Sequence, residues 1–118
     1  MDGKRALVIG SGGGIGAALI DRLVASGRFN RIYAGSRRPH SWHHPNVTSL
    51  TIDILDDATL AEAGRQIARD GVLDLVIVAT GLLHRGTDIR PEKCLRQLDA
   101  SVMAEVFAVN SIGPALVA

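Results

Sequence analysis

Short apolar runs alternate with longer stretches of helical periodicity along the chain. Arg5-Ala-Leu-Val-Ile9 is apolar and β-branched and stops at Gly10, which predicts a strand buried on both faces. From Ile15 the positions Ile15, Leu19 and Leu23, with Ile20 and Val24 beside them, follow helical spacing up to Gly27, a natural stop. Arg31 to Ser36 predicts a second strand, and Arg37 to Asn46, with two prolines, three histidines and Trp42, predicts a loop. Val47 to Ile52 predicts a third strand; Asp56 or Asp57 can then cap a helix carrying Leu60, Ala63, Gly64 and Ile67. Leu73 to Ala79 predicts a fourth strand, Pro91 to Leu98 a short helix opened by its proline, and a region from near Asp99 to Ala118 a longer helix with Val102, Val106 and Val109 on one face.

Strands separated by helix-length segments imply right-handed crossovers. The predicted class is therefore α/β, a doubly wound parallel sheet of Rossmann type, partial, with strand order 3-2-1-4. No repeat, linker or low-complexity tract divides the 118 residues, so one domain over 1–118 is expected.

Composition narrows the function classes. Acids and bases are interspersed and the net charge is +1, which gives no basic field for nucleic acid; an aromatic content of 3% gives no stacking platform. The longest apolar run, Leu75 to Ala79, falls far short of the roughly 20 residues of a membrane helix, so no membrane partner is expected. The lone Cys94 cannot close an internal disulfide, and no signal-peptide pattern is visible; a cytoplasmic location is the expectation.

The chemistry gathers at the turn Gly10-Ser-Gly-Gly-Gly-Ile-Gly16, between a predicted strand and a predicted helix. Residues without Cβ let a backbone approach a pyrophosphate, and the N–H groups and dipole of a helix start attract its charge. Gly10, Gly14 and Gly16, with Ser11 and Ile15 between them, fit a G-x-x-x-G-x-G spacing; Gly12, Gly14 and Ala17 fit the alternative G-x-G-x-x-G/A two residues late. The first register is preferred. No Lys-Ser or Lys-Thr follows the glycines, which excludes a P-loop.

With this turn, Asp53-Ile54, Ala79-Thr80-Gly81 and Val109-Asn110-Ser-Ile-Gly113 fall in order along the chain, and together they resemble the short-chain dehydrogenase/reductases. Leu82-Leu-His84 and Pro91-Glu-Lys93 are similar to the C-factor-like branch of that family. The resemblance implies an NAD(P)-dependent oxidoreductase moving hydride between cofactor and a small carbonyl or alcohol, commonly as a homo-oligomer. It implies cofactor contacts from Gly10, Ser11, Gly14, Ile15, Gly16, Asp53, Ile54, Ala79, Thr80 and Gly81, and a catalytic part for Asn110. The chain departs from the family's Asn-Asn-Ala-Gly turn, having Val78 and Ala79 where the asparagines stand. It also lacks the family's Tyr-x-x-x-Lys: Tyr33 is the only tyrosine, and neither Lys4 nor Lys93 follows it at that spacing. The 118 residues are thus expected to be an N-terminal portion that binds cofactor without turnover. A non-catalytic dinucleotide-binding module and a truncated product without function are the alternatives.

Ser36 stands at the end of the second predicted strand, where an acid would bind a ribose 2′-hydroxyl and repel a 2′-phosphate, and Arg37 and Arg38 follow it. NADP(H) is therefore favoured over NAD(H), with Arg37 offering its planar fork to the phosphate and Ser36 a hydrogen bond. Pro114 has no N–H to return to the carbonyl of Asn110 four residues earlier, so that carbonyl is expected to be free for the catalytic water relay of the family. The remaining polar residues have plainer readings. His40, His43 and His44 make a solvated loop with no metal site, His84 is a surface histidine, Cys94 is inert, and Asp88, Glu92 and Asp99 are helix-start acids.

Overall fold

β-branched and aliphatic residues build the four strands and two helices of the first part of the chain, which a computed structural model describes over residues 3–82 and 85–118. Strand β1 spans Lys4–Ile9, helix α1 Gly14–Ser26, β2 Phe29–Ser36, β3 Val47–Thr51, α2 Asp57–Asp70 and β4 Leu75–Val78. All pairs are parallel and the order is β3-β2-β1-β4, as the alternation predicts. Register is fixed by burial. Val8, Ile32 and Ala34 point to one face and pack with Ile20 of α1, while Leu23, Val24, Phe29 and Trp42 close the edge of that cluster. Leu7, Ile9 and Tyr33 alternate to the other face, and Ala63 and Ile67 are the buried residues of α2.

The helix ends follow local chemistry. Gly27 takes a left-handed φ of 67° and returns its N–H to the Val24 carbonyl, which stops α1. Of the two acids that could cap α2, Asp56 does so, accepting the Ala58 N–H at 3.0 Å. β2 begins at Phe29, two residues before the expected Arg31, because the Phe29 side chain packs into the α1 cluster.

Tyr33 is 2% exposed and donates its hydroxyl to Asp70, the last residue of α2. Burial, then the Asp70 carboxylate, push its pKa from 10.0 to about 12. A raised folded-state pKa means stability that is fully present below pH 10 and lost as pH climbs to about 12. The expected result is a fall of about 3 kcal/mol in unfolding free energy across that window relative to Tyr33→Phe, read from denaturant titrations at each pH.

The chain divides into two compact units, Met1–Ala79 and Thr80–Ala118. In the second, Asp99 caps helix α3, Ala100–Phe107, by accepting the N–H groups of Ser101 and Val102 at 2.9 and 3.1 Å. A π-helical turn over Ala108–Ile112 and helix α4, Gly113–Val117, continue it. The expected single α-helix is thus interrupted. Pro114 offers no N–H to Asn110, and the Gly113 N–H reaches back five residues to the Ala108 carbonyl. Val102, Val106 and Val109 are half-buried, while Phe107, Ile112 and Leu116 are each 56% exposed. Ala100–Val117 is 18 residues long with a hydropathy of 1.5, enough by length and composition to cross a bilayer; the longest unbroken apolar run had not suggested this. It nevertheless carries Glu105, ion-paired to Arg85 at 2.5 Å, and the polar Asn110, groups that are costly in lipid.

The short helix expected over Pro91 to Leu98 does not form; only a 3-10 turn, Leu95–Gln97, is present. The Gln97 side chain takes the Lys93 N–H at 2.5 Å, and Leu95 and Leu98 are 84% and 52% exposed, so the segment has no buried apolar face to hold a helix.

Candidate functional site

Three donors converge on one carbonyl where β1 ends. The N–H groups of Gly10 and Ser11 and the Ser11 hydroxyl all bond the Gly35 oxygen, at 2.9, 3.1 and 3.2 Å. The glycine turn is thereby fixed to β2 one residue before Ser36. Ser11 is fully buried and its hydroxyl is spent on this anchor, so what it could offer a ligand is backbone.

Steric demands separate the glycines. Gly10 has φ 92°, and a Cβ at Gly16 would lie 1.9 Å from the Gly10 oxygen, so both positions require glycine for the fold itself. A Cβ at Gly14 would meet nothing within 4 Å. These contacts bear on the Gly10-Gly14-Gly16 register: two of its glycines shape the turn, and the third leaves open space above the start of α1. That start has no side-chain cap and no acid in its first turn, leaving backbone N–H groups directed outward, and Ile15 beside them is 75% exposed.

Ser36 is 9% exposed and its Oγ has no hydrogen-bond partner. A Cβ at Gly12 would sit 3.9 Å from the Ser36 Cβ, which places this orphaned hydroxyl against the glycine turn. Arg37 and Arg38 follow it, exposed and in neither ion pair of the described residues. Between Asp21 and Asp53 the chain carries five arginines and no acid, Arg37 and Arg38 among them, so this stretch of sequence is basic.

Asp53 and Ile54 follow β3. The Asp53 Oδ1 accepts the Leu55 N–H and its own N–H goes to the Thr59 hydroxyl, both at 2.9 Å, while Ile54 is 5% exposed in the core. These side chains shape the entry to α2. Ala79 extends the β1–β4 pairing by donating its N–H to the Ile9 carbonyl at 2.7 Å.

In the second unit, Thr80 Oγ1 is buried without a partner. Asn110 makes a reciprocal amide pair with Leu82, accepting its N–H at Oδ1 and donating from Nδ2 to its carbonyl, each at 2.7 Å. Gly81 packs beside this pair, 3.7 Å from Asn110 Oδ1 to a built Cβ. The Leu82 partner and the Arg85–Glu105 ion pair escaped sequence reasoning. A backbone partner leaves no trace in residue types, although Glu105 stands out as the one charged residue after Asp99. Asp99 is held below the usual carboxylate range by the Ser101 hydroxyl and the backbone N–H groups it caps.

His40 lies against the Trp42 ring at 4.6 Å, and His44 Nδ1 accepts the Asn46 N–H at 3.1 Å. Among the described residues no three His, Cys, Asp or Glu side chains gather in a metal-binding arrangement. Cys94 is free and exposed. His84 lies outside the described residues.

A parallel 3-2-1-4 sheet with a glycine turn at the head of its first helix defines a Rossmann-type α/β protein. No family model matches the chain. Over 131 aligned positions it is 30% identical to the cis-2,3-dihydrobiphenyl-2,3-diol dehydrogenase of Paraburkholderia xenovorans strain LB400, covering 100% of this chain and 47% of that protein. The structure of a short-chain dehydrogenase from Burkholderia cenocepacia J2315 in complex with NADP superposes with a TM-score of 0.78 at 28% identity, over 98% of this chain and 45% of that one. A short-chain dehydrogenase/reductase from Serratia marcescens gives 0.74 at 24% identity, over 97% and 49%. The chain spans about half the length of the proteins it matches. Over nearly its whole length the chain is thus similar to short-chain dehydrogenases/reductases.

Proposed function

We propose that residues 1–118 are the nucleotide-binding portion of an NADP(H)-dependent oxidoreductase acting on a small carbonyl or alcohol. The observation that carries this reading is the buried, unpartnered Ser36 hydroxyl, set against the glycine turn and followed by two arginines that are in no ion pair among the described residues. Leaving a buried hydroxyl unbonded costs about 1–3 kcal/mol, which a phosphate oxygen at this position would offset. The uncapped start of α1 and the open space at Gly14 suit a pyrophosphate, and the family resemblance implies further cofactor contacts from Ile15, Asp53, Ile54, Ala79, Thr80 and Gly81. Bound NADP(H) supplies the hydride chemistry. The solved relative in complex with NADP adds support for the phosphorylated dinucleotide.

Asn110 is assigned the catalytic part through its backbone carbonyl. Its side chain is engaged with Leu82, and Pro114 leaves the carbonyl without the usual helical donor. The 118 residues hold no Tyr-x-x-x-Lys pair to donate a proton, so by themselves they are expected to bind without turnover. The exposed apolar residues of Ala100–Val117 support a homo-oligomer, and the lone thiol supports a cytoplasmic setting. Leu82-Leu-His84 and Pro91–Lys93 support the C-factor-like branch.

Calorimetric titration with NADPH and NADH tests the assignment. NADPH is expected to bind about tenfold or more tightly than NADH, and Arg37→Ala to remove that difference while leaving NADH affinity as it was. Equal affinities in the unsubstituted chain would refute it.

A further inference from the structure

Two residues of the chain after β4 are tied to one helical stretch. Asn110 bonds both the N–H and the carbonyl of Leu82 at 2.7 Å, and the Arg85 guanidinium meets Glu105 at 2.5 Å. Glu105 and Asn110 lie five residues apart, with the π-turn Ala108–Ile112 beginning between them, and the wider π-turn brings positions at that spacing nearer to one face than an α-helix does. All four residues belong to the Thr80–Ala118 unit. Arg85 is also the base of a tight turn: its N–H donates to the Ile89 carbonyl at 2.7 Å, and its carbonyl accepts the Ile89 and Asp88 N–H groups at 3.1 and 3.2 Å. Ile89 is 1% exposed, so apolar burial anchors the turn, but burial is non-directional and does not fix its register.

From these contacts we infer that Glu105 is a positioning residue: through Arg85 it sets the register in which the Leu82 peptide meets Asn110, and so holds the Asn110 side chain and backbone in place. Glu105 is the one charged residue from Ala100 to Ala118, so the helix offers Arg85 a single place to pair. Asn110 is exposed, and water competes for both of its bonds to Leu82. A tie three residues away shortens the free chain between fixed points and lowers the entropy lost in closing that contact. The catalytic meaning of the inference rests on the reading of the Asn110 carbonyl given above; the register itself does not.

The test is amide hydrogen exchange and carbonyl-carbon NMR on the 118-residue chain, with circular dichroism confirming the fold of each variant. Arg85→Gln and Glu105→Gln are each expected to speed exchange of the Leu82 N–H by about three- to fivefold and to shift the Asn110 carbonyl resonance, while the Met103 N–H, bonded to the Asp99 carbonyl at the start of α3, keeps its rate. The double variant exchanges no faster than either single one, because both remove the same contact. Arg85→Lys retains the charge and stays within about twofold of the unsubstituted chain. Glu62→Gln, which breaks the exposed pair with Arg65 on α2, moves neither signal. Unmoved Leu82 and Asn110 signals, additive effects in the double variant, a Met103 rate that rises in step, or an equal response to Glu62→Gln would each overturn the inference. The NADPH titration is independent of these rates: a chain that fails to bind NADPH but shows the expected exchange loses the cofactor reading and keeps the positioning role of Glu105.

Discussion

Ser36→Asp is expected to invert the dinucleotide preference of the chain. The new carboxylate stands where the Oγ is now buried and unbonded, against Gly12, whose missing side chain leaves room for the longer residue. A carboxylate about 4 Å from a phosphate charge at a protein surface repels it by about 4 kcal/mol, or between two and three orders of magnitude in affinity. The same carboxylate can accept a ribose 2′-hydroxyl, and a hydrogen bond to a charged group contributes about 1.5–3 kcal/mol, a gain of at least about tenfold for NADH. Both arms are read in one pair of titrations. NADPH binding that survives the substitution would show that Ser36 does not face the 2′-phosphate.

This expectation joins a feature legible in the sequence to one that was not. A serine ending a strand, followed by two arginines, could be read from residue types alone, because strand, turn and loop signals are local. Its burial and its lack of a partner depend on where Gly12 and Gly35 come to lie, and that depends on the packing of β1 against β2. The same distinction runs through the chain. β1, β3 and both helices of the first unit follow from β-branched runs, helical spacing and the residues at their ends, Gly27 and Asp56. Asp99 likewise announced the start of α3.

The stretch from Pro91 to Leu98 misled, because a proline followed by helix formers satisfies local rules while Leu95 and Leu98 have no apolar surface to cover. Pro114 signalled a missing donor, yet only the structure shows the ladder passing to a π-turn rather than to a simple kink. The Asn110–Leu82 pair joins residues 28 positions apart, beyond the reach of any periodicity.

The glycine turn gives the sharpest contrast between residues required by the fold and residues open to a ligand. At Gly16 an added methyl would lie 1.9 Å from the Gly10 oxygen and 2.7 Å from its carbonyl carbon. Both are backbone atoms, held in turn by the bonds of Gly10 and Ser11 to the Gly35 carbonyl, so no side-chain rotation can relieve the overlap. Gly16→Ala is therefore expected to destabilise the chain by about 3 kcal/mol or more, at or above the top of the usual range for overpacking, and to lower its thermal midpoint by about 10 °C or more. Gly14→Ala meets nothing within 4 Å and replaces glycine in a helix, so its thermal midpoint should hold or rise slightly. Its effect falls on the ligand: the methyl fills the space through which a pyrophosphate approaches the start of α1, and NADPH affinity should drop about tenfold or more in a fully folded chain. Thermal unfolding monitored by circular dichroism, paired with calorimetric titration, separates the two. A Gly14→Ala chain that is stable and still binds NADPH at full strength would remove the glycine turn from the binding site, and a Gly16→Ala chain of undiminished stability would show that the turn is not held as described.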